Sequence, residues 1–283
     1  MTNKNDLKLS DSFQDLAYQF SDSKNVELNH EYGEQFHFYS NPYSTTLVSQ
    51  IGHPQTTQKD LFFYIRKSYE YLLQQMMSYY FPKVIRSVET RMHQSTERGI
   101  YHGHVIDPTL SFCLIDIARA GMIPAQTCFE FLSFFYPTSQ LTQDHLFVQR
   151  MTNEKGQVTG AHFHDSKTTK NIDQKILVIP DPMGATGSSM IKVVDHYHKN
   201  SKGTPAAICA MHLIVTPEYI QKIKKECPQL QVFALRLDRG FSTEAALKKK
   251  PGTLPKEESG LNEIQYIIPG AGGMGEVLNN NFD

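Results

Sequence analysis

Hydrophobic positions recur along this chain with two different periods, and the alternation between them predicts an α/β architecture. From Thr57 to Phe81 apolar residues fall at helical spacing (Leu61, Ile65, Tyr69, Leu72, Leu73, Met76 and Tyr80) and Pro82 closes the stretch, so the pattern predicts one long amphipathic helix. Beyond it, five short apolar runs read as strands: Ser111–Ala118, His145–Gln149, Ile176–Ile179, Ala206–Val215 and Val232–Leu237. Helical spacing fills three of the gaps, over about Pro124–Phe135, Ser188–His198 and Pro217–Cys227. The middle helix carries Met190, Val193, Val194 and Tyr197 on one side. Buried strands separated by helices predict a mostly parallel sheet flanked by helices. In such sheets ligands bind beyond the carboxyl ends of the strands, so the loops after each strand are the places to look for chemistry.

Two segments stand outside this rhythm. Residues 1–40 mix polar residues with scattered aromatics and read as a polar N-terminal extension to a domain over 41–283. Residues 241–260 carry Lys248-Lys249-Lys250-Pro251-Gly252 and Pro255-Lys256-Glu257-Glu258, a solvated composition that reads as an inserted surface loop.

Composition narrows the function classes. The chain has 283 residues and 40% hydrophobic content, enough to bury a sizeable core and too much for a disordered chain. Its 28 basic and 29 acidic residues give a net charge of −1, so no strongly basic nucleic-acid binder is expected. The longest apolar stretch, Leu110–Pro124, is broken by Asp116 and Arg119, so no membrane span is expected, and the polar start offers no apolar leader. Cys113, Cys128, Cys209 and Cys227 form no Cys-x-x-Cys and read as reduced, mostly buried thiols of a cytoplasmic protein. The pairs His102/His104 and His162/His164 share a face if extended, but no third ligand is placed by sequence, and no metal site is assigned.

The informative stretch is Ile176-Leu-Val-Ile-Pro180-Asp181-Pro182-Met183-Gly184-Ala185-Thr186-Gly187-Ser188-Ser189-Met190. A buried strand ends at an acidic residue, a tight loop of small and hydroxyl residues follows, and a helix begins at once. Gly184, Ala185 and Gly187 let backbone N–H groups converge on an anion, and the new helix adds unpaired N–H groups and its positive dipole end. Thr186, Ser188 and Ser189 can donate to phosphate oxygens. Neither Gly-Lys-Ser/Thr nor Gly-x-Gly-x-x-Gly occurs in this loop, so it is neither a nucleoside-triphosphate loop nor a dinucleotide fingerprint. A carboxylate beside a phosphate cup suits the hydroxyls of a ribose 5-phosphate.

These residues resemble the phosphoribosyl diphosphate signature of uracil phosphoribosyltransferases, here Asp181-Pro-Met-x-Ala-Thr-Gly-x-Ser189. Three further stretches agree in order. Ile117-Ala-Arg119-Ala-Gly121 resembles the family's diphosphate-arginine loop. Val148-Gln-Arg150 with Asn153-Glu154 resembles the segment that supplies a second arginine, although strict alignment on Asn153-Glu154 places Thr152 there and a short insertion restores Arg150. Leu261-Asn-Glu-Ile-Gln-Tyr266-Ile-Ile-Pro269-Gly270-Ala-Gly272 resembles the uracil loop.

The resemblance implies a type I phosphoribosyltransferase-like α/β fold: a mostly parallel sheet flanked by helices, with a C-terminal hood for the base. It implies conversion of uracil and 5-phospho-α-D-ribose 1-diphosphate to UMP and diphosphate. Arg119 and Arg150 would hold the diphosphate with Mg²⁺, and Asp181 the ribose hydroxyls. Asp181, Pro182, Met183, Gly184, Ala185, Thr186, Gly187, Ser188, Ser189 and Gly273 would form the phosphoribosyl diphosphate site; Asp181 and Arg119 would be the catalytic pair. Ile267, Gly272, Gly273 and Met274 would hold uracil. The family also implies a homo-oligomer, typically a dimer.

The chain departs from the family at Gly273, where an Asp is usual, with Glu276 in place of a second Asp, and at Gly184, where a Leu is usual. Gly184 is expected to loosen its turn, and Gly273→Asp to raise activity. The alternative that these departures motivate is a catalytically weak or inactive regulatory protein that binds phosphoribosyl diphosphate or a nucleotide.

Overall fold

The computed structural model describes residues 27–152, 158–163 and 168–279. The described residues divide into two compact units, one of residues 27–74 and 110–279 and one of residues 75–109. In chain order the elements are β1 (Phe36–Phe38), α1 (Pro42–Ile51), α2 (Gln58–Gln75), β2 (Lys83–Glu89), β3 (Ile100–Ile106), β4 (Ser111–Ala118), α3 (Met122–Ser133), β5 (Leu141–Thr152), β6 (Val158–Phe163), β7 (Lys175–Pro180), β8 (Met183–Gly184), α4 (Ser188–Asn200), β9 (Ala207–Val215), α5 (Pro217–Glu226), β10 (Leu230–Leu237), α6 (Glu244–Leu247) and α7 (Met274–Asn279).

The larger unit holds one sheet in the order β1-β10-β9-β7-β4-β5-β6, with β8 added on β9. Every pairing is parallel except β5 with β6. Because strand side chains alternate, each strand feeds two cores. Cys113, Ile115, Leu177, Ile179, Ile208 and Ala210 face one way and pack with Met190, Val193 and Tyr197 of α4 and Ile220 and Ile223 of α5. On the other side Tyr69 of α2 donates to the Met211 carbonyl at 3.3 Å, and Cys128 of α3 meets Met211 sulfur to sulfur at 4.0 Å. The mostly parallel sheet flanked by helices is thus present.

Local signals set the element ends. Asn41 caps α1 by accepting from the Ser44 N–H at 3.0 Å while the Ser44 hydroxyl accepts from the Asn41 N–H at 2.9 Å, and Pro42 occupies the first turn. Thr216 caps α5 by accepting from the Tyr219 N–H at 3.1 Å. All four cysteines are free and buried. No helix among the described residues is long and apolar enough to cross a membrane.

Four segments differ from the sequence expectation. The predicted long helix gives α2, which ends at Gln75, and a π-helical turn, Met76–Tyr80. Residues 36–38, inside the stretch read as a polar extension, form β1 and pair with β10; Phe36 and Phe38 are buried there, so the core begins earlier than polarity suggests. Residues 1–26 of that stretch lie outside the described residues. Strands β2 and β3 form an antiparallel hairpin in the smaller unit that the sequence reading did not predict. Residues 241–260 are tied down rather than free. Glu258 is buried, pairs with Arg239 at 2.9 Å, and accepts from the Tyr32 hydroxyl and from the Gly252 N–H at 2.8 Å. Lys248 and Lys249 within the segment are exposed, as a solvated run should be.

Candidate active site

The sheet topology places a crevice before any side chain is considered. From β4 the chain crosses to β5 on one side, whereas β7 pairs on the other side of β4 and leads outward to β9 and β10. The loops after β4 and β7 therefore diverge and leave a gap at their carboxyl ends, the ordinary ligand position in a doubly wound sheet. A cavity of about 510 Å³ lies there. Ile117–Ala120 from the β4 end, Phe147 from β5, Asp181, Met183, Ala185 and Ser189 from the β7–α4 connection, and Gln265–Ile267 with Ala271–Glu276 from the C-terminal segment line it.

Of the residues singled out by sequence, Arg119, Asp181, Met183, Ala185, Ser189, Ile267, Gly272, Gly273 and Met274 share this cavity. Pro182, Gly184, Thr186, Gly187 and Ser188 belong to the same loop but are not among its lining residues. Arg150 lies on β5, in register with Ala161, and its side chain lies outside what the structure describes, as do Asn153 and Glu154.

The loop after β7 is held from beneath by β9 and α5. The Leu213 N–H donates to the Pro182 carbonyl at 3.0 Å, the Thr216 N–H to the Gly184 carbonyl at 3.1 Å, and the Thr216 hydroxyl to the Ala185 carbonyl at 2.6 Å. His212 Nδ1 lies 2.5 Å from the Asp181 carbonyl and Nε2 lies 2.7 Å from the Tyr219 hydroxyl. A carbonyl only accepts, so Nδ1 carries the proton. Burial pushes this imidazole down to about 4, which leaves Nε2 an acceptor for the Tyr219 O–H at neutral pH. The strand-end backbone is thus fixed by a neutral, fully buried His–Tyr pair.

Gly184 does not loosen the turn, contrary to the sequence expectation. It is buried against α5, and a Cβ there would come within 2.8 Å of Val215 Cγ1 and 3.2 Å of Tyr219 Cδ2. The missing side chain lets the loop approach α5 closely. Gly187 then enters α4 at φ 77°, a left-handed conformation natural to glycine, with no side-chain cap on the first amides of the helix.

The opposite wall is carried by the strand end of β10. Asp238 is buried, pairs with Arg236 at 2.6 Å and accepts from the Gly270 N–H at 2.7 Å, while Arg236 donates to the Gly270 carbonyl at 3.0 Å. Both backbone groups of Gly270 are therefore held, and the segment from Ala271 to Gly273 hangs over the cavity from that anchor. Met274 and Glu276 follow on α7. Glu276 reaches Arg119 at 3.6 Å, a half-exposed ion pair joining two lining residues. A Cβ on Gly273 would meet the Glu276 carboxylate, the end of a half-exposed side chain that can swing aside, so the residue that replaces the family's first Asp and the acid three positions on are neighbours.

Sequence reasoning missed His212, Thr216, Tyr219, Arg236 and Asp238, all of which position the site. None sits in a recognisable motif, and their partners are backbone groups that only the sheet register brings near. His102, from one of the histidine pairs, hydrogen-bonds Ser87 at 2.8 Å across the β2–β3 hairpin. No cluster of three or more His, Cys, Asp or Glu ligands occurs among the described residues.

Comparison with known proteins places this geometry. The chain is 26% identical over 213 residues to the uracil phosphoribosyltransferase of Dictyoglomus turgidum, covering 75% of this chain and 86% of that one. It is 31% identical over 100 residues to the uracil phosphoribosyltransferase of Thermococcus sibiricus, a match covering 35% of this chain and only 34% of that relative. A solved Aquifex aeolicus protein shares the fold, with a TM-score of 0.63, 20% identity, and coverage of 86% of this chain and 97% of that one. The uracil phosphoribosyltransferase family model matches residues 38–253, about three quarters of the chain and a span that includes β4, β7 and the loops that follow them. On that match the chain belongs to the uracil phosphoribosyltransferase family.

Proposed function

We propose that this chain transfers the 5-phosphoribosyl group of 5-phospho-α-D-ribose 1-diphosphate to a ring nitrogen of uracil, giving UMP and diphosphate, and that it works in the cytoplasm as a homo-oligomer. The observation that carries this reading is one shared cavity. At the β4/β7 switch point, Arg119, Asp181, Ala185, Ser189, Ile267 and Ala271–Met274 line a single space of about 510 Å³, room for a sugar phosphate and a base together.

Each residue has a role that its chemistry suits. The amides and hydroxyls of Thr186–Ser189 receive the 5-phosphate at the open end of α4. Asp181 accepts hydrogen bonds from the ribose hydroxyls, and its backbone is immobile because His212 holds its carbonyl. Arg119, with Arg150, holds the diphosphate as it departs. In the transfer the bond from the sugar's C1 to the diphosphate oxygen breaks, the C1–N bond forms, and the uracil nitrogen gives up its proton to the departing diphosphate or to water. The sugar becomes cationic in the process, so the Asp181 carboxylate favours the transition state. The Ile267–Met274 segment reads the base largely through main-chain groups.

Magnesium fits this wall as an ion carried in with the diphosphate. Asp181 lines the cavity, and Mg²⁺ is commonly held by one or two carboxylates together with substrate phosphates. When bound it would neutralise charge on the leaving diphosphate.

A second reading, a ligand-binding protein with little turnover, is favoured by one observation. The family match ends at residue 253, and the Gln265–Glu276 wall, which contains Gly273, lies beyond it. The two readings separate in one assay. Purified chain incubated with Mg²⁺, phosphoribosyl diphosphate and labelled uracil should form labelled UMP. Saturable binding of phosphoribosyl diphosphate with no UMP at any substrate concentration would remove the transferase reading and leave the second.

A further inference from the structure

A phosphate monoester carries about −1.5 to −2 charge at neutral pH, and the loop proposed to receive it has no cation of its own. Between Pro180 and Ser189 the only ionisable side chain is Asp181, which has the same sign as the ligand. The amide end of α4 offers roughly +0.5. Charge balance calls for a cation brought in from another element.

α5 brings one. Lys222, in its second turn, donates from Nζ to the Ser188 hydroxyl oxygen at 2.7 Å. The contact rests on a fixed platform. Thr216 and Tyr219, on the same helix, grip the Ala185 carbonyl and pack against Gly184, so the position of α5 relative to the loop is set by main-chain bonds. Lys222 is partly buried on this platform.

The direction of the hydrogen bonds matters as much as the charge. An ammonium has three donors and no acceptor. Ser188 must therefore accept from Lys222, which leaves the Ser188 proton able to donate, to Thr186 at 3.4 Å or to a bound anion. Lys222 and Ser188 thus bring an ammonium and a hydroxyl, both donors, together at the start of α4. Such an array prefers an anion rich in acceptor oxygens.

We infer that Lys222 is a binding residue for the 5-phosphate of the sugar substrate, supplying the counter-charge that the β7–α4 loop lacks. The inference rests on the phosphoribosyl reading of the cavity. It is tested by titrating the full chain with ribose 5-phosphate and with ribose, comparing wild type, Lys222→Gln and Lys222→Arg. Wild type should bind ribose 5-phosphate and not ribose. Lys222→Gln should weaken ribose 5-phosphate about ten- to a hundredfold, the range of one charge-assisted hydrogen bond. It should also lower the salt dependence of binding, whereas Lys222→Arg should recover most of the affinity. In turnover, Lys222→Gln should raise KM for phosphoribosyl diphosphate and leave kcat nearly unchanged, because the 5-phosphate is remote from C1. If wild type binds ribose 5-phosphate and Lys222→Gln binds it within twofold, Lys222 is not a ligand residue and the phosphoribosyl reading survives. If wild type does not bind ribose 5-phosphate, both fall.

Discussion

Removing the His212 imidazole should abolish a specific dependence of stability on pH. The ring is fully buried between the Asp181 carbonyl and the Tyr219 hydroxyl, and burial holds it near 4, against 6.5 for an unperturbed imidazole. The folded value is the lower one, so as pH falls the unfolded chain takes up the proton first. Above pH 6.5 the ring is neutral in both states and this stability is fully present. Between pH 6.5 and 4 it is lost, and the loss reaches about 3 kcal/mol, below which both states are protonated. His212→Leu has nothing to titrate. At pH 8 it leaves a buried carbonyl and a buried hydroxyl without their partner, which costs about 2–5 kcal/mol. Urea unfolding of both proteins, in steps from pH 8 to pH 4, gives the difference between them, from which other carboxylates cancel. The wild-type advantage should shrink by about 3 kcal/mol over that interval. An advantage that stays flat from pH 8 to pH 4 would refute a neutral, desolvated His212.

Other substitutions probe the two walls. Gly184→Ala should destabilise by about 1–3 kcal/mol in urea unfolding, because its Cβ meets Val215 and Tyr219; pairing it with Val215→Ala should recover part of that loss, and an unchanged midpoint for Gly184→Ala alone contradicts the close packing. Gly273→Asp alone should give little gain in UMP formation, since it sets a second carboxylate beside that of Glu276, whereas Gly273→Asp with Glu276→Ala should exceed it by about tenfold or more. Equal rates for the single and double variants would show that the two carboxylates do not interfere. Glu276→Gln frees Arg119 from a half-exposed ion pair and should lower KM for phosphoribosyl diphosphate by up to about fivefold; an unchanged or higher KM counts against Arg119 as a diphosphate ligand. Asp238→Ala should raise KM for uracil and cost about 3–5 kcal/mol, because Arg236 loses a buried partner and Gly270 its anchor. Wild-type kinetics for that variant would mean that the hood is held by something else.

The sequence revealed what is encoded contiguously. Val178 and Ile179 are apolar because the strand is buried on both faces, and the Asp181–Ser189 loop is legible because a phosphate cup needs small and hydroxyl residues in immediate succession. The five predicted strands became β4, β5, β7, β9 and β10, and three predicted helices became α3, α4 and α5. The elements it missed have weaker signals. β1 has three residues, too few for a period to show, and β2 and β3 lack a regular alternation of polar with apolar residues and are joined through residues 90–99 rather than by a tight turn. Glu258 reads as solvated beside Lys256 and Glu257, and only folding shows that Tyr32 and Arg239 close over it. The support of the site, from His212, Tyr219, Asp238 and Lys222, depends on residues brought together by register and crossover, which no local window contains. Gly184 shows the same limit in reverse. A missing side chain suggests looseness in sequence, yet in three dimensions it is what allows close contact.

The account turns on the loop between β7 and α4 as a sugar-phosphate cradle. A crystal structure of the chain grown with 5-phosphoribosyl 1-diphosphate and Mg²⁺ tests it most directly. The account predicts the 5-phosphate within about 2.7–3.2 Å of the backbone amides from Thr186 to Ser189, with the ribose hydroxyls on Asp181. The ligand bound anywhere else, or the same loop occupied with Asp181 turned away from the sugar, would contradict it.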